Sequence, residues 1–373
     1  MNRDRSGRLV SLDVFRGSAI AAMILVNNPG NWSHIYGPLR PAEWHGWTFA
    51  DTIFPVFLFI VGVSIACAFS KRIQSGEQKR SLYIKIIRRT LILFILGLFL
   101  NAFPSFELST LRIPGVLQRI AICYCISAII FLNSSWKGQL AWATGLLLAY
   151  WAAIEWIPVP GIGTGSFEKG VNLAAYIDSL LLKGHMWAVA KTWDPEGLIS
   201  TIPAISTTLF GILAGHWLRS ERSPLEKTVW LLFIGTVAMY IATLWHLWLP
   251  INKSLWTSSY ALLMAGLACI CLGVIYYIVD VRCWRKWTQP ALVYGMNAIT
   301  LFVLAGIVAR LLDVIEITAT DWKEISVKAW IYSKLLAPWL GDSNASLAYA
   351  IAFIAVMYLC MLVLYKKKIY ITI

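Results

Sequence analysis

The chain has 373 residues; 58% are hydrophobic, only 14% are charged, and the formal net charge is +13. Soluble domains carry about 45–50% apolar and about 25% charged residues. The composition excludes a disordered chain, a disulfide-stapled secreted domain and an ordinary soluble enzyme, and it predicts an all-α, polytopic membrane bundle.

A helix needs about 20 mostly apolar residues to cross a bilayer. Ten stretches qualify, near 9–28, 50–70, 86–103, 115–133, 138–157, 197–218, 228–248, 255–279, 290–312 and 345–365. They are expected to form one transmembrane domain over 1–373. Period-2 stretches are absent, which excludes a transmembrane barrel. The first apolar run lacks a small-residue cleavage site and carries Asp13 and Arg16, so no secretory signal is expected.

With the N-terminus in the cytosol, twenty of the 32 Lys and Arg fall on the cytosolic side, nine on the opposite side, and Arg16, Arg119 and Arg310 within spans. This bias predicts both termini inside. It assigns the positive charge to topology beside anionic lipid rather than to nucleic acid. Six of the seven cysteines lie in spans and Cys283 in a cytosolic loop, so no external disulfide is expected. Cys123 and Cys125 lack partners at zinc spacing, and no metal site is predicted. Small residues such as those of Gly211–Gly215 permit close helix contact and leave a homo-oligomer open.

Three external segments are long: about 29–49, 158–196 and 313–344. Gly161, Gly163 and Gly165 follow prolines and read as a turn, because a phosphate loop needs a preceding strand. Stretches 172–184 and 322–338 read as short interfacial helices, with Trp322, Trp330 and Trp339 at headgroup level.

Ionisable residues inside spans are functional candidates. Asp13 and Arg16 share a face of the first helix near its cytosolic end, either as a structural ion pair or as a site where Arg16, oriented by Asp13, meets the anionic part of a cytosolic ligand. Asn27 lies fourteen residues on, about 21 Å along the helix. Its amide either donates to a carbonyl oxygen or caps the helix. The following loop holds His34, Glu43 and His45, with Asp51 heading the second helix. A His beside a carboxylate is the minimum apparatus for general-base chemistry; Asp51 also suits a helix N-terminus. Gln118 and Arg119 sit one turn inside the fourth span, and Arg119 needs a carboxylate, a carbonyl or water, with Asp51 a plausible partner. His216 and His246 read as packing residues. Serine-nucleophile and Walker spacings are absent.

Taken in order, several stretches carry a resemblance: Ser11-Leu-Asp-Val-Phe-Arg-Gly17, Val26-Asn27, Trp44-His-Gly-Trp-Thr-Phe-Ala-Asp-Thr-Ile-Phe-Pro55, Pro114-Gly-Val-Leu-Gln-Arg-Ile120, Trp193-Asp-Pro-Glu-Gly-Leu198, Asn252-Lys-Ser-Leu-Trp256 and Gly295-Met-Asn297. Together they resemble the heparan-α-glucosaminide N-acetyltransferase family, and the ten-span length is similar to its bacterial, NagX-type branch.

The resemblance implies a bacterial inner-membrane enzyme that moves acetyl from cytosolic acetyl-CoA to the amine of a glucosamine-type sugar on the far side. Asp13 and Arg16 would then serve the CoA, and Asn27, His45 and Asp51 the chemistry. Gln118, Arg119, Asp194, Glu196 and His34 would serve the amino-sugar acceptor, the carboxylates by attracting its cation. The histidine that the family often carries three residues before the loop Trp is Pro41 here. His45 is the favoured replacement as base and His34 the second choice. The remaining reading is an amino-sugar transporter or binding protein that has lost acetyltransfer.

Overall fold

The structure is a computed structural model that describes residues 9–318 and 324–371. Arg3, Arg5 and Arg8 of the N-terminal basic group, and Trp322 and Lys323, lie outside the described residues.

In chain order the helices are α1 (Val10–Asn27), α2 (Phe49–Gln74), α3 (Lys79–Ala102), α4 (Val116–Asn133), α5 (Trp136–Trp156), α6 (Leu173–Leu181), α7 (Thr201–Arg219), α8 (Pro224–Trp245), α9 (Ser258–Tyr276), α10 (Gln289–Met296) and α11 (Ala298–Val314). Strands β1 (Glu316–Thr318) and β2 (Glu324–Ser326) then pair antiparallel, and α12 (Val327–Trp330), α13 (Ala337–Leu340) and α14 (Asp342–Lys366) follow.

Every apolar stretch predicted to span is helical, and the ninth is a broken pair. Among the described residues, seven helices are long and apolar enough to cross a membrane, or eight if α10 and α11, bent by 84° at Asn297, count as one span. The chain is thus a multi-pass membrane protein. α3 and α5 fall outside that group. The first half of α3 carries Lys79, Arg80, Lys85, Arg88 and Arg89, and α5 is diluted by Lys137, Gln139, Glu155 and several Trp. α8 turns Val229, Phe233 and Ile241 outward, as a lipid-facing helix does.

The helix starts follow local chemistry. Ser135, Asn172 and Ser223 cap α5, α6 and α8 by accepting from the amides of Gly138, Ala175 and Glu226. The predicted interfacial helix over 172–184 is α6. Of the stretch predicted over 322–338, Glu324–Ser326 is β2, and from Val327 the chain runs helically to Leu340, as α12, a more widely wound segment Ile331–Leu336 and α13. The alternating Ile315-Glu-Ile-Thr and Ile325-Ser-Val favour strand pairing, and Gly341 at φ 73° ends the last turn.

The chain divides into two compact units. The first holds the residues through Pro41, Thr48–Ile53 and the segment from Ile278 on. In it α1 and α10 meet backbone to backbone: a Cβ on Gly17 would sit 1.7 Å from the Ala291 carbonyl oxygen, and one on Gly295 would sit 2.2 Å from that of Asp13. At the bend, the buried Asn297 amide donates to the Ile369 carbonyl (3.1 Å) and accepts from the Ile371 amide (2.9 Å), which clasps an extended segment against the break.

The second unit holds Ala42–Trp47 and Phe54–Tyr277. In it α2 and α7 are equally close, with a Cβ on Gly62 placed 1.9 Å from the Thr208 carbonyl oxygen and one on Gly211 placed 2.0 Å from that of Phe59. The small residues Gly211 and Gly215 therefore face α2 of the same chain. α8 and α9 repeat the arrangement through Gly235 and Gly266.

Candidate functional site

In the first unit the Asp13–Arg16 pair forms as its spacing predicts. Arg16 Nη1 donates to Asp13 Oδ1 at 3.3 Å, and the two side chains are 25% and 10% exposed. Beside them the Ser11 amide, in the first turn of α1, donates to Asp280 Oδ2 at 3.1 Å, and Asp280 also pairs with Arg285 (3.4 Å). The α1 N-terminus thus carries its counter-anion from a distant part of the chain.

Asn27 is the last residue of α1 and is exposed. The amide that turns back to the helix is the next one: Asn28 Nδ2 donates to the Ile24 carbonyl at 2.8 Å. Further on, His34 Nε2 lies 3.9 Å from Asp342 Oδ2, and Asp342 also accepts from the Tyr332 hydroxyl (3.3 Å). His34, Tyr36, Pro29, Leu25, Ser346 and Ala350 line a small open crevice. Asp51 is buried in the first turn of α2, where Oδ2 accepts from the Thr48 amide (3.0 Å) and hydroxyl (3.2 Å). That is the reciprocal half of a capping box.

The second unit brings together motifs far apart in sequence. His45 is exposed, and its Nδ1 lies 3.4 Å from Asn252 Nδ2. The Asn252 oxygen accepts from the Leu255 amide at 2.9 Å, which turns the amide nitrogen toward His45. An amide nitrogen only donates, so Nδ1 is the acceptor and the neutral ring carries its proton on Nε2. The neighbouring backbone is tied in the same way, with the Gly46 amide donating to the Ile251 carbonyl (2.8 Å). Trp44 donates from its indole to the Phe167 carbonyl (2.8 Å) and packs edge-on against Trp193 (5.1 Å), which in turn meets Trp187 (5.8 Å).

Next to this aromatic cluster runs the loop from Trp193 to Ser200. Arg112 grips Asp194 with two bonds, Nε to Oδ2 (2.8 Å) and Nη2 to Oδ1 (2.6 Å), and reaches Glu196 Oε2 at 2.5 Å. Burial works against the charged guanidinium, but the two carboxylates outweigh it and raise the Arg112 pKa. Asp194 also accepts from the amides of Trp187 and Glu196 (2.9 Å each), and its side chain has 0% exposure. Asp194 is therefore saturated. Of the two carboxylates expected to attract a cation, Glu196 keeps an exposed edge, at 11%.

Arg119 is 1% exposed. Nη2 donates to the Ser200 hydroxyl and to the Gly197 carbonyl (3.1 Å), and the guanidinium stacks on Trp256 at 5.0 Å. These oxygens come from the segment that leads into α7. Gln118 packs against Gly97 and Gly115, where added Cβ atoms would sit 2.3 and 2.7 Å from its Oε1. His216 bonds Gln139 (2.9 Å) and stacks on Phe131, and His246 accepts from the Ile251 amide (2.9 Å). Both are packing residues, as the sequence predicts.

Three residues that the sequence does not single out for a role complete these clusters. Asn252 orients His45, Asp342 faces His34, and Asp178 of α6 lies under the 193–200 loop. Asn252 stands inside one of the matched stretches. Asp178 is a lone acid on an amphipathic helix, a pattern with no functional signal of its own. Among the described residues, no group of three or more His, Cys, Asp and Glu is placed to hold a metal ion.

Residues 8–246 match the family described as "Heparan-alpha-glucosaminide N-acetyltransferase, catalytic". A protein named heparan-alpha-glucosaminide N-acetyltransferase from Homo sapiens is 31% identical over 355 residues, covering 79% of this chain and 52% of its own length. The protein of that name from Mus musculus is 29% identical over 360 residues, covering 81% of this chain and 54% of its own. The chain spans about half the length of the curated relatives it matches. With the family match covering well over half of its length, the chain belongs to the heparan-alpha-glucosaminide N-acetyltransferase catalytic family.

Proposed function

We propose that the protein is a ten-span acetyltransferase of the bacterial inner membrane, with both termini cytosolic, that moves acetyl from cytosolic acetyl-CoA to the amine of a glucosamine-type sugar on the other side. The observation that supports this reading lies in the second unit, where His45 meets Asn252, Trp44 meets Trp193, and Arg112 holds Asp194 and Glu196, all from stretches that carry the resemblance or lie beside them.

The residues present suit the parts of the reaction. Arg16 is a partly exposed cation held by Asp13, fit to contact a phosphate of CoA. Glu196 offers a carboxylate edge to the ammonium form of the amine. Before attack that amine must lose a proton, and we assign its acceptance to His45 Nδ1. The Asn252 contact of 3.4 Å is long for a hydrogen bond and yields the lone pair readily. Nitrogen then attacks the thioester carbonyl, the C–N bond forms, the C–S bond breaks, and one proton is released overall. Asn27 is assigned to donate to the carbonyl oxygen as it gains charge. Asp51, the carboxylate at the head of α2, is assigned to attract the ammonium form of the amine.

The test is purified full-length protein with acetyl-labelled acetyl-CoA and glucosamine. Labelled N-acetylglucosamine is expected; no product together with no CoA binding rejects the reading. A second reading, amino-sugar transport, draws on the 84° break between α10 and α11, since transporters build sites at interrupted helices. It predicts sugar flux into proteoliposomes without CoA.

A further inference from the structure

The Asp178 carboxylate is used by none of the steps above, yet it is buried to 1% exposure beneath the loop that carries Asp194 and Glu196. Its Oδ1 accepts from the Leu198 amide at 2.9 Å and its Oδ2 from the Asp194 amide at 3.4 Å. The fit leaves no spare room: a Cβ on Gly197 would lie 1.9 Å from Asp178 Oδ2. The amides on both sides of Gly197 are therefore wrapped around one carboxylate. From that loop hang the Asp194 grip on Arg112 and the Gly197 carbonyl and Ser200 hydroxyl that hold Arg119.

We propose that Asp178 is a positioning residue of the acceptor end of the protein, whose carboxylate clamps the 193–200 loop and so sets the placement of Glu196, Arg112 and Arg119 for the amino-sugar amine. The proposal rests on the acetyltransfer reading for the identity of the ligand, but the clamp itself does not.

The chemistry makes the clamp dependent on pH. A carboxylate accepts both amides strongly, whereas a protonated acid loses one oxygen as a good acceptor. The groups facing Asp178 are Asp194 on the loop, Arg119 on α4 and the Tyr150 hydroxyl on α5. Glu196 and Arg112 form the next layer, through Arg119 and Asp194. Burial pushes the Asp178 carboxyl up to about 6, against the two backbone amides and Arg119, which favour the anion, and with Asp194, which opposes it. The clamp is thus closed above that pH and slackens below it.

The experiment compares the full-length protein with Asp178→Asn, whose side chain has the same shape but must turn its NH2 toward one of the two amides. Backbone hydrogen exchange across 190–200, measured against α7–α9 peptides of the same sample, is followed from pH 5 to 7.5. The wild type should gain protection as pH rises through about 6, whereas D178N should be unprotected throughout. In the activity assay, D178N should raise the KM for glucosamine about tenfold or more and leave the KM for acetyl-CoA within about twofold. Asp178→Glu, which keeps the charge, should recover part of the loss. Equal protection in D178N and wild type overturns the proposal, as does a wild-type profile flat with pH or an equal rise in both KM values. Wild-type protein that makes no product, but shows the exchange transition, rejects acetyltransfer and leaves the clamp standing.

Discussion

The amide of Asn252 presents its nitrogen, not its oxygen, to Nδ1 of His45, because its oxygen is already taken by the Leu255 amide. This polarity fixes where the neutral ring holds its proton and which lone pair is basic. Asn252→Asp reverses it: a carboxylate would accept from Nδ1–H and hold the ring in its protonated form to higher pH. The acid limb of kcat/KM should move to higher pH in N252D, and kcat at neutral pH should fall about tenfold or more. Asn252→Ala should lower kcat less and leave the limb nearer its wild-type place. A pH–rate profile over pH 5.5–9 checks both.

Arg112 holds Asp194 with two bonds, with the Asp194 side chain wholly buried and that of Arg112 a quarter exposed. Arg112→Ala leaves a buried carboxylate without its cation, a change that typically costs about 3–5 kcal/mol. Thermal unfolding in detergent should show a drop of several degrees. Arg112→Lys should recover charge but not the two-pronged grip, and should fall between the two.

The close approach of α2 and α7 predicts a second kind of fragility. Gly211→Ala drives a methyl into the Phe59 carbonyl, 2.0 Å from its oxygen. Overpacking of this kind costs about 1–3 kcal/mol. Gly145→Ala on α5, where nothing lies within 4 Å, should be neutral or slightly stabilising. The paired melting temperatures test whether backbone contact, rather than glycine content, holds this unit.

Asp178 also predicts how stability varies with pH. Its carboxyl is raised in the folded chain to about 6 from an ordinary value of 3.8. Between those values the folded state binds more proton than the unfolded state, so the contribution of Asp178 to stability is largest at low pH and falls as pH rises through this window. The loop it clamps tightens over the same range. D178N should remove the downward slope while loosening the loop. Melting curves at pH 4.5, 5.5 and 6.5 would separate the two effects.

Much of the fold is legible in the sequence because hydrophobic length is a strong signal: each apolar stretch is a helix. The break at Asn297 is less visible, since Met296-Asn297-Ala298 contains no proline and the bend depends on the segment Ile369–Ile371 reaching the Asn297 amide. The helix expected over 322–338 forms only from Val327 on, because the Glu324-Ile-Ser stretch before it pairs as a strand with Glu316–Thr318. At the candidate site, Asp13 with Arg16 follows from spacing alone. The partners of Arg119 do not, since Gly197 and Ser200 lie some eighty residues away and offer a carbonyl and a hydroxyl, which carry no charge pattern to find. Asp178 is hidden for the same reason: its partners are backbone amides.

The central claim is acetyl transfer from one face of the membrane to the other. Its most direct test uses proteoliposomes with glucosamine trapped inside and acetyl-labelled acetyl-CoA outside, selecting the protein population whose cytosolic loops face outward by protease protection. The account predicts labelled N-acetylglucosamine in the lumen, lost in Arg16→Ala at low acetyl-CoA concentration and in His45→Ala at all concentrations. Product that forms only when both substrates are on the same side, or flux of unmodified sugar without CoA, would contradict it.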